Sequence, residues 1–184
     1  MTVALIAVTA IAVMLVATYI SLYNDIVHKD DRCDDGWQAI DAQLQRRNDL
    51  IPSLVETVGT HAQQERQALV GIVKACSAVA EATTPADKMS ASNELSGALG
   101  HLLASAETYP DLESNADFQH LRVVLTDTEG KIGHACMSYN DCVLDYNNAI
   151  ATFPGSVIAG SKFRRREGFE VTNQTAREAP RVRF

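Results

Sequence analysis

The sequence predicts an all-α protein, in which an N-terminal transmembrane helix runs into an antiparallel four-helix bundle of long helices. Three observations indicate this class. The first 24 residues carry no charged side chain. Apolar residues then recur at steps of three and four along most of the chain, as on one face of a helix. Aromatic residues, which strands favour, make up only 6% of the sequence.

The apolar segment at residues 1–24 is the predicted transmembrane helix, because about 20 apolar residues cross the hydrocarbon core of a bilayer. A cleaved signal peptide is the alternative, but it has basic residues before a short apolar core. Here the first Lys or Arg is Lys29. We therefore expect a retained anchor with the rings of Tyr19 and Tyr23 near the headgroup layer. Its representative residues are Leu5, Ile11, Leu15, Tyr19 and Tyr23.

The basic residues beside the apolar segment predict its orientation. Lys29 and Arg32 follow the segment and no Lys or Arg precedes it, which favours a cytoplasmic location for the rest of the chain. The four cysteines lack the spacing of a disulfide framework, as is typical of a reducing compartment. We expect a single-pass protein of the cell (inner) membrane whose soluble domain is cytoplasmic.

Residues 25–161 form the predicted bundle. In the first helix one apolar seam, interrupted by a single arginine, contains Cys33, Trp37, Ile40, Leu44, Arg47, Ile51, Leu54 and Val58. Pro52 lacks a backbone N–H, so we expect it to kink or restart this helix, with Asp49 as a cap and Gly59 as the end.

Three further helices are predicted at residues 61–81, at residues 85–107 with Thr84 as N-cap, and from about Phe118 to just before Pro154. The second of these should bury Leu95, Leu99, Leu102 and Ala106. The inward stripe of the last contains Phe118, Leu121, Leu125, Thr128, Ile132, Ala135, Tyr139, Cys142, Tyr146 and Ala149, widened by Val143 and Ile150. Tyr139 and Tyr146 should bury their rings while their hydroxyls stay hydrogen-bonded.

Several polar residues recur near the predicted inward faces. They are Arg46, Arg47, Asp49, Glu56, Glu107 and Glu129. One interpretation is internal salt bridging, with Arg47 paired to a carboxylate. The other is a polar network that fixes the register of the bundle or binds a ligand between helices.

The C-terminal segment is basic, unlike the rest of the chain. Residues 162–184 hold seven basic and three acidic side chains, so this predicted arm has a net charge of +4. Residues 1–161 have a net charge of −11, and the whole chain has −7. The arm is either a solvated terminus or a segment that binds an anionic membrane surface or an acidic neighbouring subunit. The predicted oligomer or membrane contacts are Phe153, Val157, Ile158, Phe163, Arg164, Arg165 and Arg166.

Common catalytic and metal-binding patterns are missing from the sequence. A di-iron bundle needs Glu-x-x-His pairs, and no glutamate here has histidine three residues later. Cys136 and Cys142 are six residues apart, which places them on different faces of a helix. No phosphate-binding glycine loop or nucleophile elbow is present. We expect a protein that is not an enzyme and has no cofactor, catalytic residue or metal site.

Three blocks of the chain together resemble the LemA family. The first contains Tyr23-Asn24-Asp25-Ile26-Val27, Trp37-Gln38-Ala39-Ile40-Asp41 and the run LQRRNDLIPSLV at residues 44–55. The second is Glu107-Thr108-Tyr109-Pro110-Asp111-Leu112, followed by Asn115 and Phe118. The third contains Tyr139-Asn140, Tyr146-Asn147, Phe153-Pro154 and Ala159.

The resemblance implies an N-terminal single-pass anchor and an antiparallel bundle, and it implies no established enzymatic activity. One branch of the family is linked to building magnetosome membranes, which suggests membrane organisation. Residues 28–35 are more acidic than the family pattern, and the chain beyond Phe169 lies outside the recognisable motifs. The role of that terminal segment is therefore expected to be local to this chain.

Two functions remain open at this point. The first is a membrane-anchored scaffold that self-associates into a membrane-bound assembly and organises membrane or partner proteins. The alternative is an adaptor that recruits or regulates a partner enzyme, such as a protease or kinase, at the membrane. The expected partners are the lipid bilayer and further copies of the chain, and the adaptor alternative adds one unidentified protein. Nucleic acid is not expected, because the acidic body would repel phosphates.

Overall fold

The computed structural model describes residues 1–61 and 66–169. Most of these residues are helical and none of them lies in a strand, which confirms the predicted all-α class. The helices are α1 (Thr2–His61), α2 (Arg66–Glu81), α3 (Pro85–Ala106), α4 (Pro110–Glu113), α5 (Ala116–Ala151) and α6 (Gly155–Ala159). Of the predicted C-terminal arm, residues 170–184 lie outside the described part.

The first helix is longer than the sequence indicated. It runs through Pro52 and past Gly59 to His61, so the predicted restart capped by Asp49 does not occur. The side chains of Ile51, Leu54 and Val58 around the proline are all buried. This packing stabilises the helix on both sides of the one backbone hydrogen bond that proline cannot make. A bend at Pro52 stays a prediction.

The predicted seam of α1 is confirmed. Seven of its eight residues are buried, including Arg47, and the eighth, Trp37, is half-buried. The stripe of α5 is confirmed up to Ile132, and beyond it at the predicted Tyr139, Val143, Tyr146 and Ile150, which are all buried. Three predicted positions differ, because Ala135, Cys142 and Ala149 are half-buried, and Cys136, which was not predicted, is buried.

Local capping sets where the middle helices begin. The hydroxyl of Thr84 accepts a hydrogen bond of 3.1 Å from the backbone N–H of Asp87, which confirms the predicted N-cap of α3. The backbone N–H of Phe118 donates to Asn115 Oδ1 at 2.9 Å at the start of α5. Between them, Pro110–Glu113 forms the short helix α4, which buries Leu112.

The chain divides into two compact units. The terminal unit contains Met1–Gln38 and Met137–Gly168, and the central unit contains Ala39–Cys136, to which Phe169 is also assigned. Each unit is thus built from segments that belong to different helices. The predicted boundaries after residues 24 and 161 are divisions along the sequence and stay a prediction.

The central unit contains a continuous apolar core in which α2 packs against α3. Its buried members come from five helices: Ile51, Leu54 and Val58 from α1; Leu69, Ile72, Ala75 and Val79 from α2; Ala91, Leu95, Leu99, Leu102 and Ala106 from α3; Leu112 from α4; and Phe118 and Leu125 from α5. The four residues predicted to face inward from the second half of α3 are all among them.

Candidate functional site in the terminal unit

In the terminal unit, the segment at residues 162–168 contacts α1 and α5. We call this segment the tail clasp. Asn147 forms two hydrogen bonds with the backbone of Arg166: its Nδ2 donates to the carbonyl oxygen at 2.9 Å, and its Oδ1 accepts from the N–H at 3.0 Å. The hydroxyl of Tyr146 donates to the carbonyl oxygen of Arg164 at 3.0 Å. The hydroxyl of Tyr139 donates to the backbone carbonyl oxygen of Glu167 at 3.3 Å. Side chains of α5 therefore bind the clasp mainly through the backbone of the clasp.

One side chain of the clasp is bound by two carboxylates of α1. Arg166 Nε donates to Asp30 Oδ1 at 2.7 Å, and its Nη1 donates to Asp34 Oδ1 at 2.5 Å. Its guanidinium lies 5.8 Å from the ring centre of Tyr146. Burial lowers the pKa of Arg166, but the hydrogen bonds to Asp34 and Asp30 outweigh it, so the net pKa is raised. The arginine therefore stays charged at every physiological pH.

The Tyr-Asn pairs at 139–140 and 146–147 lie one heptad apart, so they share a face of α5. Both tyrosine rings are buried and both hydroxyls are hydrogen-bonded, as the sequence predicted. Burial raises the pKa of Tyr139 and of Tyr146, which keeps the hydroxyls protonated as donors to the clasp. The sequence analysis found the tyrosine pattern but not the residues that these hydroxyls bind.

The clasp continues to the end of the apolar segment of α1. The ring of Phe163 meets that of Tyr23 edge-on at 5.7 Å between centroids, and the ammonium of Lys162 donates to the hydroxyl of Tyr23. Tyr23 in turn stacks on Tyr19 at 6.4 Å between centroids. The predicted anchor residue Tyr23 is thus half-buried by the clasp.

The short helix α6 also lies beside this part of α1. A side-chain carbon on Gly155 would approach the backbone oxygen of Ala149 to 2.1 Å and Ile26 Cδ1 to 3.7 Å, so only glycine allows this contact. Gly160 at the end of α6 has φ of +49°, a conformation that glycine adopts readily. These two glycines position the chain between α5 and the clasp.

The apolar segment itself is exposed within the described structure. Its helix is long and apolar enough to cross a membrane, with a window of mean hydropathy 2.6 that is 0% buried. Leu5, Ile11, Leu15 and Tyr19, the other predicted anchor residues, are each more than half exposed.

The predicted contact residues divide into three environments. Phe153 and Val157 are 84% and 74% exposed. Ile158 and Phe163 are half-buried, and Arg164 and Arg165 are exposed. Arg166, which the sequence analysis grouped with these two arginines, instead binds Asp30 and Asp34 of its own chain.

The predicted polar network is smaller than the sequence suggested. In the central unit, Arg47 Nη1 donates to Glu129 Oε1 and to Ser96 Oγ, both at 2.7 Å, and Arg47 Nη2 donates to Ser92 Oγ at 2.9 Å. Ser96 Oγ also donates to Glu129 Oε2 at 3.0 Å. Ser92 and Ser96 were missed, although their spacing of four residues places them on one face of α3.

The other predicted members of the network are exposed and do not join it. They are Arg46, Asp49, Glu56 and Glu107. Glu107 pairs with Arg122 at 3.2 Å, and Asp49 accepts a hydrogen bond from Gln45 at 2.8 Å. The side chain of Arg47 is 0% exposed, and its Nε has no hydrogen-bond partner within the described structure. The structure therefore favours internal salt bridging at Arg47.

The comparisons with known proteins can be set against this geometry. The sequence pattern of the LemA family matches residues 36–184. The chain belongs to the LemA family. No curated protein matches the chain.

The LemA match includes both Tyr-Asn pairs and the whole tail clasp, whereas residues 1–35 lie before it. It also extends past Phe169 to residue 184. The chain beyond Phe169 was expected to have a role local to this chain because it holds none of the recognisable motifs, but it lies within the family match. That expectation rested on short motifs, and a segment without such motifs can still follow the family pattern.

The chemistry available to this LemA protein is limited by burial. Burial raises the pKa of the Cys136 thiol to about 11, and it also raises the pKa of Cys33 and Cys76. Thiols of this kind are poor nucleophiles near neutral pH. Within residues 1–61 and 66–169, no group of three His, Cys, Asp or Glu residues suits a metal ion. The expected absence of a metal, a cofactor and a catalytic activity stays a prediction.

Proposed function

We propose that this LemA protein is a membrane-anchored structural protein. In this proposal it self-associates into a membrane-bound assembly, organises membrane or partner proteins, and has no catalytic activity or cofactor. The observation that carries the proposal is the exposed apolar segment of α1, which continues directly into the helix face that binds the tail clasp. A protein of this kind presents its helices at a fixed site on a bilayer.

The proposed membrane topology is a single pass, with the segment that follows the span in the cytoplasm. Lys29 and Arg32 support this orientation, because basic residues beside a span favour the cytoplasmic side. The buried free cysteines agree with a reducing compartment. The cell (inner) membrane is the proposed location.

We further propose that the long helices form an antiparallel four-helix bundle. Contacts within the central unit support this arrangement, because they join the helices in several combinations. Lys88 of α3 pairs with Asp41 of α1 at 2.5 Å, and Arg47 of α1 pairs with Glu129 of α5 at 2.7 Å. The shared apolar core contributes residues from α1, α2, α3 and α5.

Opposite charges support self-association. Residues 1–161 carry −11 and residues 162–184 carry +4, and Arg164 and Arg165 are exposed beside the bound Arg166. These two arginines are therefore the proposed contacts to an acidic neighbouring subunit. Electrostatic attraction of this kind fixes the orientation of partners more than it adds affinity.

The deciding experiment measures the size of the purified full chain in nanodiscs by light scattering and single-particle imaging. We expect a large, uniform particle, which the variant Arg164→Glu/Arg165→Glu makes smaller. The control Lys74→Glu changes an exposed basic residue of α2 and should leave the size unaltered. A monomer that co-purifies with one stoichiometric protein would contradict the scaffold and support the alternative, an adaptor for a partner enzyme such as a protease or kinase.

A further inference from the structure

Two large apolar side chains project from the region where α5 ends and α6 follows. Phe153 is 84% exposed and Val157 is 74% exposed, although both belong to the compact terminal unit. A solvent-exposed phenylalanine and valine in the same short stretch are costly in water. Their neighbours Gly155 and Ala159 are buried, so the stretch itself is packed against the protein.

This stretch lies beside the first turns of α1 after the apolar segment. Phe153 lines the same groove as Leu22 and Ile26, a groove of about 280 Å³. Further along, Phe163 meets Tyr23 edge-on. Phe153 is therefore next to the point at which a bilayer containing residues 1–24 would end, and Val157 follows it in α6.

The charges around this stretch suit a headgroup layer. The carboxylate of Asp25 pairs with Lys29 at 3.3 Å, and Asp30 and Asp34 pair with Arg166. These three carboxylates of α1 are thus paired within the protein. Asp145 of α5, which lines the same groove as Phe153, is exposed, as are Arg164 and Arg165. Aromatic rings and basic side chains are the residues that proteins place at membrane–water interfaces.

The geometry points to a second membrane contact: Phe153 and Val157 insert into the headgroup–acyl boundary of the bilayer that α1 crosses. The partner is the lipid bilayer itself. This inference rests on the proposed membrane anchoring. It adds that the terminal unit lies on the membrane surface rather than projecting from it on α1 alone.

Site-directed tryptophan fluorescence of the full chain in liposomes tests this contact. All variants carry Trp37→Phe, which removes the only tryptophan of the sequence, and then one new tryptophan: Phe153→Trp, the control Met137→Trp, or Tyr19→Trp. Met137 is 54% exposed and precedes Phe153 by 16 positions, about 24 Å along a helix. Lipids with a brominated acyl chain serve as the quencher, and Val157→Trp provides a second position if Phe153→Trp does not fold.

We expect the emission of Phe153→Trp to shift to shorter wavelength and to fall severalfold in brominated liposomes, whereas Met137→Trp keeps the emission of an indole in water. A water-like, unquenched Phe153→Trp beside a quenched Tyr19→Trp would overturn the second contact and leave the anchor intact. If Tyr19→Trp is also unquenched, the proposed anchoring fails as well. A shifted but unquenched Phe153→Trp whose shift disappears on dilution would show that a second copy, not lipid, covers this surface.

Discussion

Two arginines fix the two units of this protein in different ways. In the central unit, Arg47 has no exposed surface and is bound by one carboxylate and two serines, all through its side chain. In the terminal unit, Arg166 is half-buried and is bound by two carboxylates, while Asn147 also binds its backbone. The first arginine is part of a core, and the second fastens a segment to a surface.

The difference indicates what each arginine contributes. Removing Arg47 takes the donor away from the buried hydroxyl of Ser92 and from the half-buried Ser96 and Glu129, and it removes a side chain with no exposed surface, so the cost falls on the folded core. Removing Arg166 exposes Asp30 and Asp34 to water, which solvates them, so the cost is limited to the clasp. The comparison therefore predicts a global effect for one residue and a local effect for the other.

The largest expected effect is that of Arg47→Met. We expect the free energy of unfolding to fall by about 2–3 kcal/mol, because the buried guanidinium of Arg47 loses its charge-assisted hydrogen bonds to Ser92, Ser96 and Glu129. The carboxylate of Glu129 is one-third exposed and stays partly solvated, so it adds little to this cost. Denaturant titration of the full chain in detergent measures this loss. The matched control is Arg46→Met at the exposed neighbouring position, which should change stability by less than about 0.5 kcal/mol.

A double variant tests whether the unpaired carboxylate of Glu129 causes part of this loss. Arg47→Met with Glu129→Gln removes both charges, and we expect it to be slightly more stable than Arg47→Met alone. If Arg47→Met is as stable as Arg46→Met, the interpretation of Arg47 as a core residue is wrong.

The sequence identified Arg47 more completely than Arg166, and the reason is physical. Arg47 interrupts an apolar seam with a period of three and four, so its place inside the core follows from helical geometry. The same periodicity gave the buried faces of α1 and α3. It failed in α5 only at Ala135, Cys142 and Ala149, which are half-buried, and it missed the buried Cys136. Periodicity identifies a stripe of a helix more reliably than its individual positions.

Arg166 lies in a segment without any apolar period, so no pattern predicted its partners. Its contacts join residues more than 130 positions apart in the sequence. The acidic run at residues 28–35 and the basic run at residues 164–166 were both visible, but each was assigned to a separate segment. Pairing such runs across the chain requires the fold, because charge alone does not say which runs meet. The tyrosine spacing in α5 indicated a shared face but not its ligand.

The second expected effect is a loss of folding stability at alkaline pH. Burial raises the pKa of Cys136 from 9.0 to about 11. The unfolded chain therefore releases this proton at lower pH than the folded chain, so the contribution of Cys136 to stability is full below pH 9 and is lost as the pH rises towards 11. We expect a loss on the order of 2 kcal/mol.

The variant Cys136→Ala isolates this contribution when the free energy of unfolding is measured across the same pH range. Its stability should fall less steeply with pH than that of the unaltered protein. Some slope should remain, because burial also raises the pKa of Cys33, Cys76, Tyr139 and Tyr146. Equal slopes for the two proteins would show that Cys136 is not sealed in the core.

The third expected effect is local. Arg166→Gln removes the charge-assisted bonds to Asp30 and Asp34, so we expect the clasp to open more easily by about 1.5 kcal/mol, a value at the lower limit for charged bonds because the site is partly exposed. Hydrogen exchange at residues 162–168 should become roughly tenfold faster. Exchange in α3 should not change. The control Lys74→Gln removes an exposed basic charge of α2 and should leave both regions as they were.

The smallest expected effect tests whether the backbone or the side chain holds the clasp. Asn147→Ala removes the two hydrogen bonds to the backbone of Arg166 but leaves its pairing with Asp30 and Asp34 intact. We expect a loss of about 1 kcal/mol in clasp opening, again read by hydrogen exchange. Asn148→Ala at the exposed next position is the matched control and should have no effect. If Asn147→Ala opens the clasp more than Arg166→Gln does, the carboxylates are secondary, and α5 binds this segment through its backbone whatever residue stands at position 166.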